Sequence, residues 1–156
     1  MRPSTMMLVA WLGCAACAYR PGSFQRRLGP PMPGERATVG CLDVAVQPRA
    51  ELEATGQVIE VSFANRCDHP TVVDFAAMRA TTRHGGAERA LRIYDPHGEI
   101  RPLKLEARTV ASEVVELQIA SRPEETVANA CVDVGGLARW DGGERWICVA
   151  GTEVVR

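Results

Sequence analysis

Val58-Ile-Glu-Val-Ser-Phe-Ala-Asn-Arg66 sets Ile59, Val61 and Phe63 against Glu60, Ser62 and Ala64, a period of two. Extended backbone puts alternate side chains on opposite faces, so one row reaches a core and the other faces water. The same period recurs in Leu42, Val44 and Val46 against Asp43, Ala45 and Gln47, and in Val115, Leu117 and Ile119 against Glu116, Gln118 and Ala120. Shorter strands are expected over residues 71–75, 78–82, 90–94, 99–105, 132–134 and 145–149. The separators His84-Gly85-Gly86, Asp95-Pro96-His97-Gly98 and Asp141-Gly142-Gly143 supply turn chemistry. Pro102 suits an edge strand, where a missing N–H costs little. A short helix is expected over residues 123–131, with Ser121 as cap and Pro123, Glu124 and Glu125 in its first turn.

The opening stretch has an echo. Val58–Arg66 aligns with Val114-Val-Glu-Leu-Gln-Ile-Ala-Ser-Arg122, sharing Glu, Ala and Arg beyond the apolar alternation. Leu-Glu-Ala precedes each block, at 52–54 and 105–107. Val73-Asp74-Phe75-Ala76-Ala77-Met78 follows one, and Val132-Asp133-Val134-Gly135-Gly136-Leu137 follows the other. Two blocks are too few for a solenoid; they suit a sandwich whose central strands are related by a pseudo-twofold axis. Seven or more short strands in about 110 residues resemble an immunoglobulin-like β-sandwich. The resemblance is architectural and spans residues 39–150. It implies an all-β, two-sheet domain with its binding loops at the ends of the sandwich.

Upstream of this domain (residues 37–156) the composition changes twice. Residues 1–18 carry Arg2, an apolar run from Met6 to Leu12, and Gly13-Cys14-Ala15-Ala16-Cys17-Ala18. A basic start, a short apolar core and a small-residue exit make an export signal. The run is too short to span a bilayer, which takes about 20 residues. Gly13-Cys14 resembles the cleavage box of a bacterial lipoprotein precursor, which implies a lipid on Cys14, with Cys17 as the alternative acceptor. The competing route reads Ala16-Cys17-Ala18 as an A-x-A site whose cleavage releases a soluble protein from Tyr19. Residues 19–36, YRPGSFQRRLGPPMPGER, form an extended tether dense in Pro and Gly.

Charge divides along the same line. The tether holds four arginines and one glutamate, whereas residues 37–156 hold 13 basic and 18 acidic residues, a net of −5. A basic stretch beside a lipid gains from anionic headgroups. An acidic domain argues against nucleic-acid binding. Arginine outnumbers lysine 17 to one along the whole chain, which reads as coding bias more than a binding patch.

Removing the signal leaves Cys41, Cys67, Cys131 and Cys148. Four cysteines in an exported chain imply two disulfides. Antiparallel neighbours over 39–47 and 58–66 bring Cys41 near Cys67, and a last hairpin brings Cys131 near Cys148. Cys67-Asp68-His69 lacks the spacing that closes around zinc, and no second cluster completes a ligand set. His84 and His97 sit in turns. No G-x-S-x-G elbow, P-loop, dinucleotide fingerprint or H-E-x-x-H is present. No catalytic residue, metal or cofactor is therefore assigned.

The surface reading centres on Trp140, Asp141 and Trp146, in and beside the last hairpin turn. These residues are either core-edge filling or anchors for a partner. The expectation is an envelope protein, in the periplasm and anchored to a membrane by its lipid, that serves as a binding or accessory module for a protein or glycan. The alternatives are a structural spacer of the envelope, and a hydrolase using Asp74, Asp133 or His69 as acid–base groups.

Overall fold

A computed structural model describes residues 32–50, 54, 56–84, 86–95, 99–123 and 125–151. The described residues contain ten strands: β1 (Glu35–Val39), β2 (Leu42–Arg49), β3 (Gln57–Asn65), β4 (Thr71–Val73), β5 (Arg79–His84), β6 (Ala87–Tyr94), β7 (Leu103–Leu105), β8 (Val110–Ile119), β9 (Asn129–Asp133) and β10 (Trp146–Ala150). One helical turn, α1 (Val134–Leu137), and one 3-10 turn (Phe75–Ala77) interrupt them. Eight strands form one antiparallel sheet in the order β1-β2-β3-β8-β6-β5-β9-β10, and β4 pairs with β7 in a second, small sheet. The terminal strands β1 and β10 approach each other, so the large sheet nearly closes into a sandwich-like shell. The all-β, sandwich-like expectation stands, with both layers belonging largely to one continuous sheet.

The period-two rows point where the alternation places them. Leu42, Val44, Val46, Ile59, Val61 and Phe63 are fully or almost fully buried from one side; Ala80, Val132, Ile147 and Val149 meet them from the other. Phe63 packs edge-on against Phe75 with ring centroids 5.6 Å apart. Each buried Val, Leu, Ile or Phe among them contributes about 1.5–3 kcal/mol by leaving water.

The outer face of β2 and β3 is also covered. Met32, Ala45 and Ala64 form a second buried cluster there, because two alanines leave room for the methionine chain to lie flat. Just before β1, Gly34 takes φ +103°, and a Cβ there would stand 2.2 Å from the Val46 carbonyl oxygen. Only glycine lets the chain cross β2 this closely.

The echoed blocks are β3 and β8, and they are neighbours. Ile59 stands directly opposite Val115, the two residues that the sequence alignment makes equivalent. A pseudo-twofold axis therefore passes through that pair.

Two local expectations are corrected. The described residues of 123–128 form turns rather than a helix, and β9 begins at Asn129. The helical turn starts instead at Val134, which the alternation assigned to a strand, because the Asp133 carboxylate accepts the Gly135 amide and caps it. Pro102 lies just ahead of β7, whose paired part is only Leu103–Leu105.

Candidate functional site

Both copies of the Val-Asp motif lie at the end of the shell where β5 starts and β9 ends. Asp74 caps the 3-10 turn by accepting the Ala76 amide, and Asp133 caps α1 in the same way. The two turns touch: the Asp74 amide donates to the Leu137 carbonyl at 2.9 Å. Their arginines cross over. Arg79, five residues after Asp74, donates to Asp133 at 2.6 Å, while Arg139, six residues after Asp133, donates to Asp74. Each motif thus supplies the cation for the other's carboxylate, the reciprocal pattern of a twofold interface within one chain.

Asp133 is saturated. One oxygen accepts the Gly135 and Arg145 amides at 3.1 and 2.9 Å, and the other accepts Arg79. Burial pushes its carboxyl up, but the Arg145 amide, the Arg79 guanidinium and the Gly135 amide outweigh that and hold it below the usual range. The Arg139 hydrogen bond is the largest influence on Asp74 and keeps it low against a smaller burial effect. These pairs clasp the two turns together.

Around the clasps lies a layered surface of aromatic and cationic side chains. The Arg79 guanidinium sits 5.7 Å from the Trp146 ring centre, and Arg145 sits 5.3 Å from that of Trp140. Glu144 locks the first stack by accepting both Arg79 at 2.6 Å and the Trp146 indole at 2.9 Å. The Trp146 bond, then Arg79, lowers the Glu144 carboxyl. Cation–ring stacks of this kind favour one orientation of the ring.

The three sequence-selected residues differ. Trp146 is 37% exposed, Asp141 lies exposed in the turn, and Trp140 is half-buried against the core edge. Trp140 therefore fills the edge with one side while Arg145 lies over its ring. Arg79 and Arg139 keep 59% and 69% of their side-chain surface in water despite their ion pairs.

Elsewhere, Cys41–Cys67 and Cys131–Cys148 are bonded, the connectivity that strand adjacency favours. Two disulfides are consistent with an oxidising extracellular or periplasmic setting. His69 is exposed and bonds Asp68 at 3.0 Å. Among the described residues no group of three or more His, Cys, Asp or Glu is gathered for a metal, and no helix is long and apolar enough to cross a membrane. Cys14, Cys17 and His97 lie outside the described residues, and of His84 only the backbone is described.

The arginines were missed by the sequence reading, which attributed them to coding bias. Their signal was positional: an arginine follows each echoed Val-Asp by five or six residues. Comparison with protein-family models, curated proteins and solved structures finds no match.

Proposed function

We propose that the chain is an exported, lipid-anchored binding module of the cell envelope, and that it meets its partner through the surface around Trp146, Arg79, Arg139 and Asp141. The supporting observation is the Arg79–Trp146–Glu144 stack, a flat aromatic and cationic surface held rigid yet left in water. A large apolar ring loses little entropy when it is already fixed, which is how aromatic anchors gain affinity. Arg79 and Arg139 use Nη2 for their internal bonds, and a guanidinium has five donors. The surface therefore suits a partner that presents acceptor oxygens beside an apolar patch, as a glycan or a protein loop does.

A photo-crosslinking residue at Asp141 tests this in living cells. The expected result is a discrete adduct with an envelope component, reduced at least tenfold by Trp146→Ala with Arg79→Ala. Labelling at Asp141 no stronger than at Glu88, an exposed position on β6, would overturn the reading.

A further inference from the structure

β8 is longer than the strand that flanks it on the side away from β3. Its first half, Val110–Val114, pairs with residues 60–64 of β3. On the other side β6 reaches only as far as Tyr94, opposite Glu116. Among the described residues no strand continues the sheet beside residues 110–114.

Hydrogen-bond parity identifies what this half-edge presents. The Asn65 amide donates to the Thr109 carbonyl at 2.9 Å, so odd-numbered β8 residues face β3. In an antiparallel ladder the intervening residues direct both backbone groups the other way. The N–H and C=O of Val110, Ser112 and Val114 therefore point away from β3, on the side that no described strand occupies. Val110 is 45% exposed, and Ser112 and Glu113 are exposed beside it. Glu113 follows the core-facing parity of Val115 and Leu117, a charge on an otherwise inward row. Such a charge blunts indiscriminate edge pairing and favours an occupant that brings a cation.

We propose that this edge is filled by the chain's own tether, with Phe24-Gln25-Arg26-Arg27-Leu28 adding a strand along residues 110–114. Three observations on different scales converge on that occupant. Met32 rests on Ala45 and Ala64, and Ala64 is the register partner of Val110, so only β8 lies between the strand under Met32 and this half-edge. Leu28 precedes Met32 by four positions, a reach of about 13 Å, whereas two strand spacings, from β3 to the lane beside β8, come to about 9.6 Å. Finally, Ser23–Leu28 is the longest stretch between Pro21 and Pro33 that is free of both Pro and Gly, so it can supply the amide donors that pairing needs. Its consecutive arginines point to opposite faces in an extended strand, so either orientation sets one of them on the Glu113 side. This assignment concerns the tether alone and stands whether or not the Trp146 surface binds a partner.

Amide hydrogen exchange tests it on the mature chain with its tether intact, in detergent micelles. Exchange at Val110, Ser112 and Val114 is read against Val61 in the same sample. The expected result is exchange at least tenfold slower than in the Phe24→Pro/Arg26→Pro variant. Arg26→Glu/Arg27→Glu is expected to speed exchange as well, and adding Glu113→Arg to it is expected to restore protection. Equal exchange in wild type and tether variants would overturn the assignment. So would protection that grows with protein concentration, which would identify a second copy on the edge.

Discussion

Asp133 shows how a single side chain can hold one end of this domain. Replacing it with Ala leaves the Gly135 and Arg145 amides without their acceptor, and each buried orphan costs about 1–3 kcal/mol. The expected loss for Asp133→Ala in urea unfolding is about 2–4 kcal/mol. Asp133→Asn, which keeps an acceptor but loses the charge facing Arg79, is expected to cost clearly less. Equal losses would mean that the ion pair, not the amide capture, carries the effect. Asp74, Asp133 and Glu144 all have lowered carboxyls in the fold, so the unfolded chain binds more protons. Their stabilisation is complete above the ordinary carboxylate value of about 4. It is lost as pH falls through the lower folded values. The urea midpoint should therefore fall from pH 5 towards pH 2, and Asp74→Asn/Asp133→Asn should flatten that slope. An unchanged slope would contradict the clasp reading. At this scale the carboxylates were legible because the Val-Asp motif repeats. Their arginine partners were not, since a crossed pairing 54 and 65 residues apart is set by how the turns pack.

At the scale of elements, the strands were legible and the turns less so. Alternation in 58–66 and 114–120 survives into β3 and β8 because both are buried on the inner row. The helix was misplaced because cap and proline signals near Ser121 compete with the closure of β9 onto β5 and β10. Val134-Gly-Gly-Leu137 has poor helix propensity, yet it turns because Asp133 caps it and its glycines allow close packing. A Cβ on Gly136 would stand 2.8 Å from the Ala77 carbonyl oxygen. Gly136→Ala should therefore lower stability, although alanine favours a helix by about 1 kcal/mol. A raised melting temperature would show that the two turns do not press together. The disulfides act at the same scale, closing separations of 26 and 17 residues. In the chain-entropy model reducing them removes about 3.5 and 3.1 kcal/mol. Full reduction should unfold the domain in the low urea range, and a stable reduced domain would show that the core suffices alone.

For the whole molecule, sequence and structure describe different parts of one protein. The proposed export rests on residues 1–18, which lie outside the described structure, while the shell and its staples rest on residues 35–150. The sequence displayed the class of fold because inner and outer rows alternate. It did not display the near-closure of the sheet, which depends on β1 and β10 meeting after eight strands of accumulated twist. The Trp146 surface was legible as two tryptophans near a turn and illegible as a stack, because Arg79 arrives from a strand far away in sequence. All of this presumes a life outside the cytosol, where both cysteine pairs stay oxidised. Intact mass of the protein purified from envelopes, after alkylation without reduction, addresses that directly. The predicted species begins at a diacylglycerol-modified Cys14 and takes up no alkyl group at Cys41, Cys67, Cys131 or Cys148. A cytosolic product that still begins at Met1 and alkylates at all four of those positions would contradict the account.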